Sequence, residues 1–247
     1  MAKMVLNPHS ISVVIPAYNE ADNIGLLVSE IIEKTENIPL AEIIIVDDGS
    51  TDNISATIEQ LKPNASLIRL LRHSLRSGQS AALYTGIQAA RSELIVTMDG
   101  DGQNDPVDIQ TLYKEWLAHP KPPMAMIAGQ RRKRMDTMLK KFTSQAGNGI
   151  RSFLLKDGVR DTGCSLKLFR REDYLRLPYF NHMHRFLPAL FLRDGGCVIL
   201  ADVSHRPRRK GVSKYGFWDR LWAGIFDIFG VLWLKARARK TIIVTEE

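Results

Sequence analysis

Short apolar segments alternate with amphipathic patterns along the first half of the chain. Segments rich in Ile, Val and Leu predict β-strands at Ile11–Ile15, Glu42–Val46, Ser66–Leu71, Glu93–Met98 and Met124–Ala128. Apolar residues spaced three or four apart predict helices between them, at Ala21–Lys34, Asp52–Leu61, Gln79–Ala90 and Pro106–Ala118. This alternation predicts an α/β fold with a mainly parallel central sheet that helices cover on both faces.

Polar clusters follow three of the predicted strands. They are Pro16–Glu20 after the first strand, Asp47–Asp52 after the second and Asp99–Asp101 after the fourth. Because ligands bind at the carboxyl ends of parallel strands, we expect the three clusters to meet at one edge. The first turn has no Gly-x-Gly-x-x-Gly sequence, which argues against a dinucleotide-binding oxidoreductase. Asp48 offers an acceptor for a base or a ribose, while the residues after it are typical of a helix N-cap.

Asp99 and Asp101 are separated by a single glycine at the end of an apolar strand. On an extended backbone their side chains project to one side. Two carboxylates and the amide oxygen of Gln103 suit Mg²⁺ or Mn²⁺, which keep positions open for water and substrate phosphates. The alternative is an acidic turn that only caps the helix beginning near Pro106. The pattern favours a divalent metal site with a diphosphate as co-ligand.

Composition narrows the class of protein. The chain has 247 residues, 45% of them hydrophobic and 25% charged, which is typical of a globular domain. A formal charge of +7 suits nucleic acid, an anionic membrane or a phosphorylated substrate. Two cysteines, and a start without the apolar core of a signal peptide, predict reduced thiols in a cytoplasmic protein.

Two basic segments lie in the second half, Gly129–Arg134 and His205–Lys214. Guanidinium groups bind phosphate in a bidentate way and stay charged, so both segments are candidate phosphate sites. For Arg132–Arg134 a solvated basic loop is an equal alternative. The second segment follows a predicted strand at Cys197–Val203 and lacks the interleaved aromatics of a base-stacking surface, which argues against nucleic acid.

Tyr215–Lys240 combines apolar spacings of three and four with tryptophans and a basic end. This pattern predicts an amphipathic helix, either lying in a membrane interface or packed against the domain core or a partner subunit. No segment has the roughly 18 to 20 uninterrupted apolar residues of a membrane span. We therefore predict a domain at 1–214 and an amphipathic helix and tail at 215–247, compatible with a homo-oligomer.

Four motifs together resemble family 2 glycosyltransferases, most of all the polyprenyl-phosphate (dolichol-phosphate mannose synthase-like) branch. They are Val14–Glu20, Val46–Ser50, Asp99–Gln103 and Gly211–Lys214. The resemblance extends over about residues 10–216. It implies a GT-A fold, which is a Rossmann-like nucleotide-diphospho-sugar transferase fold, with a UDP- or GDP-linked sugar donor, a divalent metal and inversion at the anomeric carbon.

The resemblance also implies residue roles. The donor-binding set is Pro16, Tyr18, Glu20, Asp48, Asp99, Gly100, Asp101 and Arg131. The metal ligands are Asp99, Asp101 and Gln103. The acceptor- or phosphate-binding set is His184, Arg185, Arg206, Arg208, Ser213 and Lys214. Gly100 stands where the family more often has alanine, and His184 is equally compatible with a helix-cap or core role.

Asp161 is the candidate catalytic residue beside Asp101, because it resembles an aspartate that faces the reacting centre of the family. It would act as a base or position the acceptor. An ion pair with Arg160 or another nearby cation is the alternative. A lipid phosphate is ionised near neutral pH, since its second pKa is about 6, so a strong base is less necessary than for an alcohol acceptor.

The predicted activity is inverting transfer of a sugar to a polyprenyl phosphate such as undecaprenyl or dolichyl phosphate, feeding cell-envelope glycan or lipid glycosylation. The protein would associate peripherally with the cytoplasmic face of the membrane. One alternative is a family 2 enzyme with another lipid, a saccharide or a protein as acceptor. The other is a noncatalytic nucleotide-sugar or membrane-binding module.

Overall fold

The computed structural model describes residues 9–61, 66–119, 124–131, 151–159, 161–207 and 217–238. Within these ranges seven strands form one sheet. They are β1 (Ile11–Ala17), β2 (Leu40–Asp47), β3 (Ile68–Arg72), β4 (Leu94–Thr97), β5 (Ala125–Arg131), β6 (Lys167–Arg170) and β7 (Cys197–Val203). Their order is β3-β2-β1-β4-β6-β5-β7, and β6 runs antiparallel to both of its neighbours. The other pairs are parallel, which confirms the predicted mainly parallel sheet.

The helices of the described residues connect and cover these strands. They are α1 (Ala21–Lys34), α2 (Ile54–Leu61), α3 (Gln79–Ala89), α4 (Asp108–Ala118), α5 (Arg171–Leu175), α6 (Leu187–Arg193) and α7 (Phe217–Ala236). A 3₁₀ turn covers Met183–Arg185, and residues 151–155 are also helical. The four helices predicted between strands are confirmed, although α2 and α4 each begin two residues later than the pattern indicates.

Two apolar layers hold the sheet between the helices. Alternate residues of β1 point to opposite faces, so that Val13 and Ile15 join one layer and Val14 joins the other. The first layer includes buried residues of α1, α2 and α4, and the second includes those of α3, α5 and α6. Val231 of α7 is also buried in the second layer. The sheet is therefore covered on both faces, as the βα alternation predicts.

The α3 helix approaches the sheet closely at Gly86, and this contact predicts a stability effect. A Cβ at this position would lie 2.5 Å from Val14 Cγ1 and 3.0 Å from Val46 Cγ2. Gly86→Ala should therefore lower the free energy of unfolding by about 1–3 kcal/mol, as overpacking of a full core does. Urea denaturation measures the change. Gly230→Ala is the control, because nothing lies within 4 Å of a Cβ there; equal losses in both variants would contradict the packing argument.

Candidate active site

The three polar clusters meet at one edge of the sheet. Strands β1 and β2 are in register, with Ala17 opposite Asp47, and β4 pairs with the other side of β1. The backbone N–H of Asp48 donates to the carbonyl of Ala17 at 2.8 Å, and that of Met98 donates to Val14 at 3.1 Å. These bonds carry the chain from the end of β2 and of β4 alongside the end of β1, as the strand pattern predicts.

Asp99 lies one residue beyond the end of β4 and is tied to its surroundings by several hydrogen bonds. Gln79 Nε2 donates to Asp99 Oδ1 at 2.8 Å. Ser165 Oγ accepts from the backbone N–H of Asp99 at 3.1 Å and from Asn104 Nδ2 at 2.7 Å. Burial, followed by the charge of Asp101, raises the pKa of Asp99 to about 6. Two carboxylates therefore repel each other at this edge, which is the electrostatic setting that a bound cation relieves.

Asp99 and Asp101 fit a divalent ion that takes its further ligands from water and a substrate. Among the described residues, no group of three His, Cys, Asp or Glu side chains is placed to hold a metal. Mg²⁺ commonly uses one or two carboxylates, several waters and substrate phosphates, so a closed protein cage is not required. Gln103 is held beside the pair, since its backbone N–H donates to Asp101 Oδ1 at 3.1 Å and its carbonyl accepts from the backbone N–H of Arg206 at 2.9 Å.

The raised pKa of Asp99 predicts how stability depends on pH without metal. The folded-state pKa of about 6 lies above the ordinary aspartate value of 3.8, so the native state binds more protons than the unfolded state between these pH values. The free energy of unfolding should therefore fall as the pH rises through this window. In EDTA, the melting temperature of Asp99→Asn minus that of wild type should increase as the pH rises from 4 to 7. A constant difference between the two proteins across this range would contradict the assignment.

Asp48 is a buried residue that organises the loop after β3. Its carboxylate accepts hydrogen bonds from the backbone N–H groups of Ser77 and Gly78, each at 2.8 Å. Its Oδ1 also lies 2.8 Å from His73 Nδ1, whose ring Nε2 lies 3.0 Å from Thr85 Oγ1. The structure thus gives Asp48 a role in holding the loop after β3, while its contact with a base or ribose stays a prediction.

Tyr18 and Glu20 lie on the same side, between β1 and α1. The guanidinium of Arg76 stacks over the Tyr18 ring, 4.4 Å from its centroid. Arg76 belongs to the loop that Asp48 holds, and the sequence pattern did not single it out. Glu20 Oε2 accepts from Asn23 Nδ2 at 2.7 Å in the first turn of α1. Both predicted donor-binding side chains therefore lie at the sheet edge that carries Asp48.

Asp161 forms a bidentate ion pair with Arg131. Arg131 Nε lies 2.5 Å from Asp161 Oδ2, and Nη2 lies 2.7 Å from Oδ1. Both side chains are nearly buried, with 11% and 8% of their surface exposed. The ion pair named as the alternative is therefore present, with Arg131 as the cation, and the role of Asp161 as a base stays a prediction. The two hydrogen bonds fix the orientation of the Arg131 guanidinium.

Arg206, a predicted phosphate-binding residue, lies between two carboxylates. Its guanidinium lies 2.7 Å from both Glu30 Oε2 and Asp105 Oδ2. The two carboxylates come from α1 and from the turn before α4, and binding of phosphate by Arg206 stays a prediction. Arg206 fastens the segment after β7 to α1 and to the turn before α4. The other predicted residues of that basic segment, Arg208, Ser213 and Lys214, lie outside the described residues.

A cavity of about 650 Å³ opens between Asp99, the start of α3 and the 3₁₀ turn. The predicted acceptor residues His184 and Arg185 line it. Ser80 Oγ lies 2.8 Å from His184 Nδ1, and burial, followed by the charge of Lys167, lowers the pKa of His184 to about 3. His184 is therefore neutral at physiological pH. Lys167 also lines the cavity, although the sequence pattern did not identify it as a site residue.

Comparison with known proteins identifies the family. The model of "Glycosyl transferase family 2" matches residues 12–177. The dodecaprenyl-phosphate galacturonate synthase of Rhizobium johnstonii is 33% identical over 235 residues, covering 93% of this chain and 68% of the relative. The undecaprenyl-phosphate 4-deoxy-4-formamido-L-arabinose transferase of Pectobacterium carotovorum is 30% identical over 217 residues, covering 87% and 65% respectively. The chain thus spans about two thirds of the length of these curated relatives.

Solved structures confirm the predicted fold. Glucosyl-3-phosphoglycerate synthase from Mycobacterium tuberculosis, in complex with Mn²⁺, UDP and phosphoglyceric acid, superposes with a TM-score of 0.71 at 18% identity, over 94% of this chain and 80% of that one. Mannosyl-3-phosphoglycerate synthase from Rubrobacter xylanophilus gives a TM-score of 0.70 at 15% identity, over 95% and 77%. At such low sequence identity, the structural likeness establishes only the GT-A fold and not the activity. The family model and the relative that is 33% identical show that the chain belongs to glycosyl transferase family 2.

Proposed function

We propose that the protein transfers a sugar from a nucleoside-diphosphate sugar to a polyprenyl phosphate, with inversion at the anomeric carbon. The observation that carries the proposal is the juxtaposition of Asp99 and Asp101 with a cavity lined by cations. The two carboxylates can hold the metal that a diphosphate donor requires. The cations that line the cavity suit an anionic acceptor. The activities in the names of the two curated relatives support the same class of acceptor.

The chain's own residues supply most of the proposed chemistry. Asp99, Asp101 and Gln103 would hold Mg²⁺ or Mn²⁺, which neutralises charge on a departing diphosphate. Arg131, held by Asp161, would donate to phosphate oxygens from a fixed orientation. Neutral His184 would offer a hydrogen-bonding ring without attracting a proton from the acceptor. The acceptor phosphate is already ionised near neutral pH and would attack the anomeric carbon from the face opposite the diphosphate.

Transfer of radiolabelled sugar tests this proposal directly. A panel of UDP- and GDP-sugars would be incubated with short polyprenyl phosphates and Mg²⁺ or Mn²⁺, beside samples in EDTA. A metal-dependent lipid product would support the proposal and identify the sugar and the nucleotide. Donor hydrolysis or binding without a lipid product across the panel would overturn it and favour another acceptor or a noncatalytic binding module.

We also propose peripheral attachment to the cytoplasmic face of a membrane. No helix of the described residues is long and apolar enough to cross a bilayer. One side of α7 packs on the core through Val231, while Phe226, Phe229 and Trp233 are 71%, 65% and 62% exposed. We call these three residues the α7 apolar surface. Both cysteines are free thiols, which suits a reducing compartment.

Removing the α7 apolar surface should weaken vesicle binding. Joint replacement of Phe226, Phe229 and Trp233 by serine should lower partitioning onto phosphatidylglycerol vesicles by about tenfold or more, because apolar area no longer enters the interface. Co-sedimentation measures the change. Leu117→Ser is the control, since Leu117 is 50% exposed on α4. Unchanged partitioning would contradict the proposal, and a dimer lost by the triple variant would assign the surface to a second copy.

A further inference from the structure

Lys167 is a buried lysine whose side chain faces the cavity. It begins β6, where it lies opposite Thr97 of β4 and Ala128 of β5. Only 4% of its surface is exposed, yet it lines the cavity together with Asp99 and Arg185. The first residue of β6 therefore places its ammonium group against the cavity.

The ammonium group has unused hydrogen-bonding capacity. Its Nζ donates to the carbonyl of Cys164, which satisfies one of its three donors. No carboxylate of the described residues lies within 4.0 Å of Nζ, whereas other buried cations, such as Arg131 and Arg151, are each paired with an aspartate. Within the part of the chain that the structure describes, two donors of Lys167 are therefore left for a group inside the cavity.

Burial of this lysine is costly unless other groups compensate its charge. Lysine is almost never fully buried without a partner, because the charged group loses its hydration. Burial accordingly lowers the pKa of Lys167, although the charges of Asp99 and Asp161 oppose this shift. The next residues of the strand, Leu168 and Phe169, are fully buried apolar side chains, so an apolar residue at position 167 would have suited the core. A lysine here is best explained by a contact that forms when the cavity is filled.

We infer that Lys167 binds an oxyanion of the ligand that fills this cavity, and that it helps to determine which ligand is accepted. The inference rests on the proposed function, which supplies two such oxyanions. One is the phosphate of the acceptor, and the other is a carboxylate on the donor sugar. Both offer oxygens that accept charge-assisted hydrogen bonds from an ammonium group. Arg185 on the cavity wall would share the same anion.

Binding of matched probes to Lys167→Met tests the inference. Methionine keeps the approximate length of the side chain and removes its charge. Calorimetry with UDP and Mg²⁺ present would compare geranyl phosphate with geraniol, which lacks the phosphate. A second series without added UDP would compare UDP-galacturonate with UDP-galactose, which lacks the carboxylate. Lys114→Met, at an exposed position of α4, controls for loss of one positive charge elsewhere.

The expected result is that Lys167→Met raises the Kd of one anionic probe by about tenfold or more, with little change for its neutral counterpart. A loss confined to geranyl phosphate assigns the anion to the acceptor, and a loss confined to UDP-galacturonate assigns it to the sugar. Unchanged Kd values for both anionic probes overturn the inference. So does a wild-type protein that prefers neither anionic probe over its neutral counterpart.

Two further measurements keep the result interpretable. If thermal melting shows that Lys167→Met does not fold, Lys167→Gln removes the charge while retaining a donor, and the same change in Kd is expected. Sugar transfer by the wild type is measured separately. Transfer together with unchanged Kd values in the variant overturns the role of Lys167 alone, whereas absence of transfer across the donor panel counts against the proposed function.

Discussion

Replacing Asp101 with alanine should reduce sugar transfer by about 100- to 1,000-fold, the largest effect expected of any single substitution in this protein. The physical reason is charge: a departing nucleoside diphosphate gains negative charge that must be neutralised in the transition state. Asp101 and Asp99 are the carboxylates that would hold the neutralising cation, and their mutual repulsion already contributes to the raised pKa of Asp99. Steady-state transfer with saturating Mg²⁺ or Mn²⁺ measures the loss.

The control for this substitution is Asp22→Ala, which removes an exposed aspartate from the first turn of α1. It should retain transfer within about twofold, because surface substitutions away from a site have small effects. Metal-dependent stabilisation gives a second readout. Mn²⁺ and UDP together should raise the melting temperature of wild type and of Asp22→Ala, but not that of Asp101→Ala. Full transfer by Asp101→Ala would remove the metal site from the proposed function.

Breaking the Arg131–Asp161 ion pair should give the second largest effect. Asp161→Asn should lower transfer by about 10- to 100-fold, which corresponds to one charge-assisted hydrogen bond lost in the transition state. The loss arises because the guanidinium of Arg131 no longer donates two hydrogen bonds to one carboxylate. Rates of transfer at saturating donor and acceptor measure the effect, after thermal melting has shown that the variant folds.

A double-mutant cycle separates this positioning role from general-base catalysis. If Asp161 acts only through Arg131, Asp161→Asn should cost little once Arg131→Met is present, since the two effects are not additive. A base that acts on the acceptor would add its own loss to that of Arg131→Met. The pH profile gives an independent check, because a base would change the acidic limb of the profile and a positioning residue would not. Additive losses would restore Asp161 as a candidate base.

The role of Asp52 shows how a correct local expectation can miss a tertiary partner. Its place before a helical pattern is typical of an N-cap, and its Oδ1 does lie 3.4 Å from the backbone nitrogen of Ile54. Its Oδ2, however, accepts the backbone N–H of Ala21 at 2.8 Å, at the start of a different helix. The carboxylate therefore connects the turns after β1 and β2, a link that the sequence pattern does not show.

By itself the sequence determined the strands and helices that build the site, the sheet edge on which its carboxylates meet, and the family. These follow from periods of two and about 3.6 residues and from short motifs, which are local properties of the chain. Only the tertiary structure decided which charges pair. Arg131 and Asp161 are 30 residues apart, and Arg206 and Glu30 are 176 apart. The antiparallel insertion of β6 likewise placed Lys167 beneath the cavity. Such contacts depend on strand order, because side chains distant in sequence become neighbours only when their strands pair.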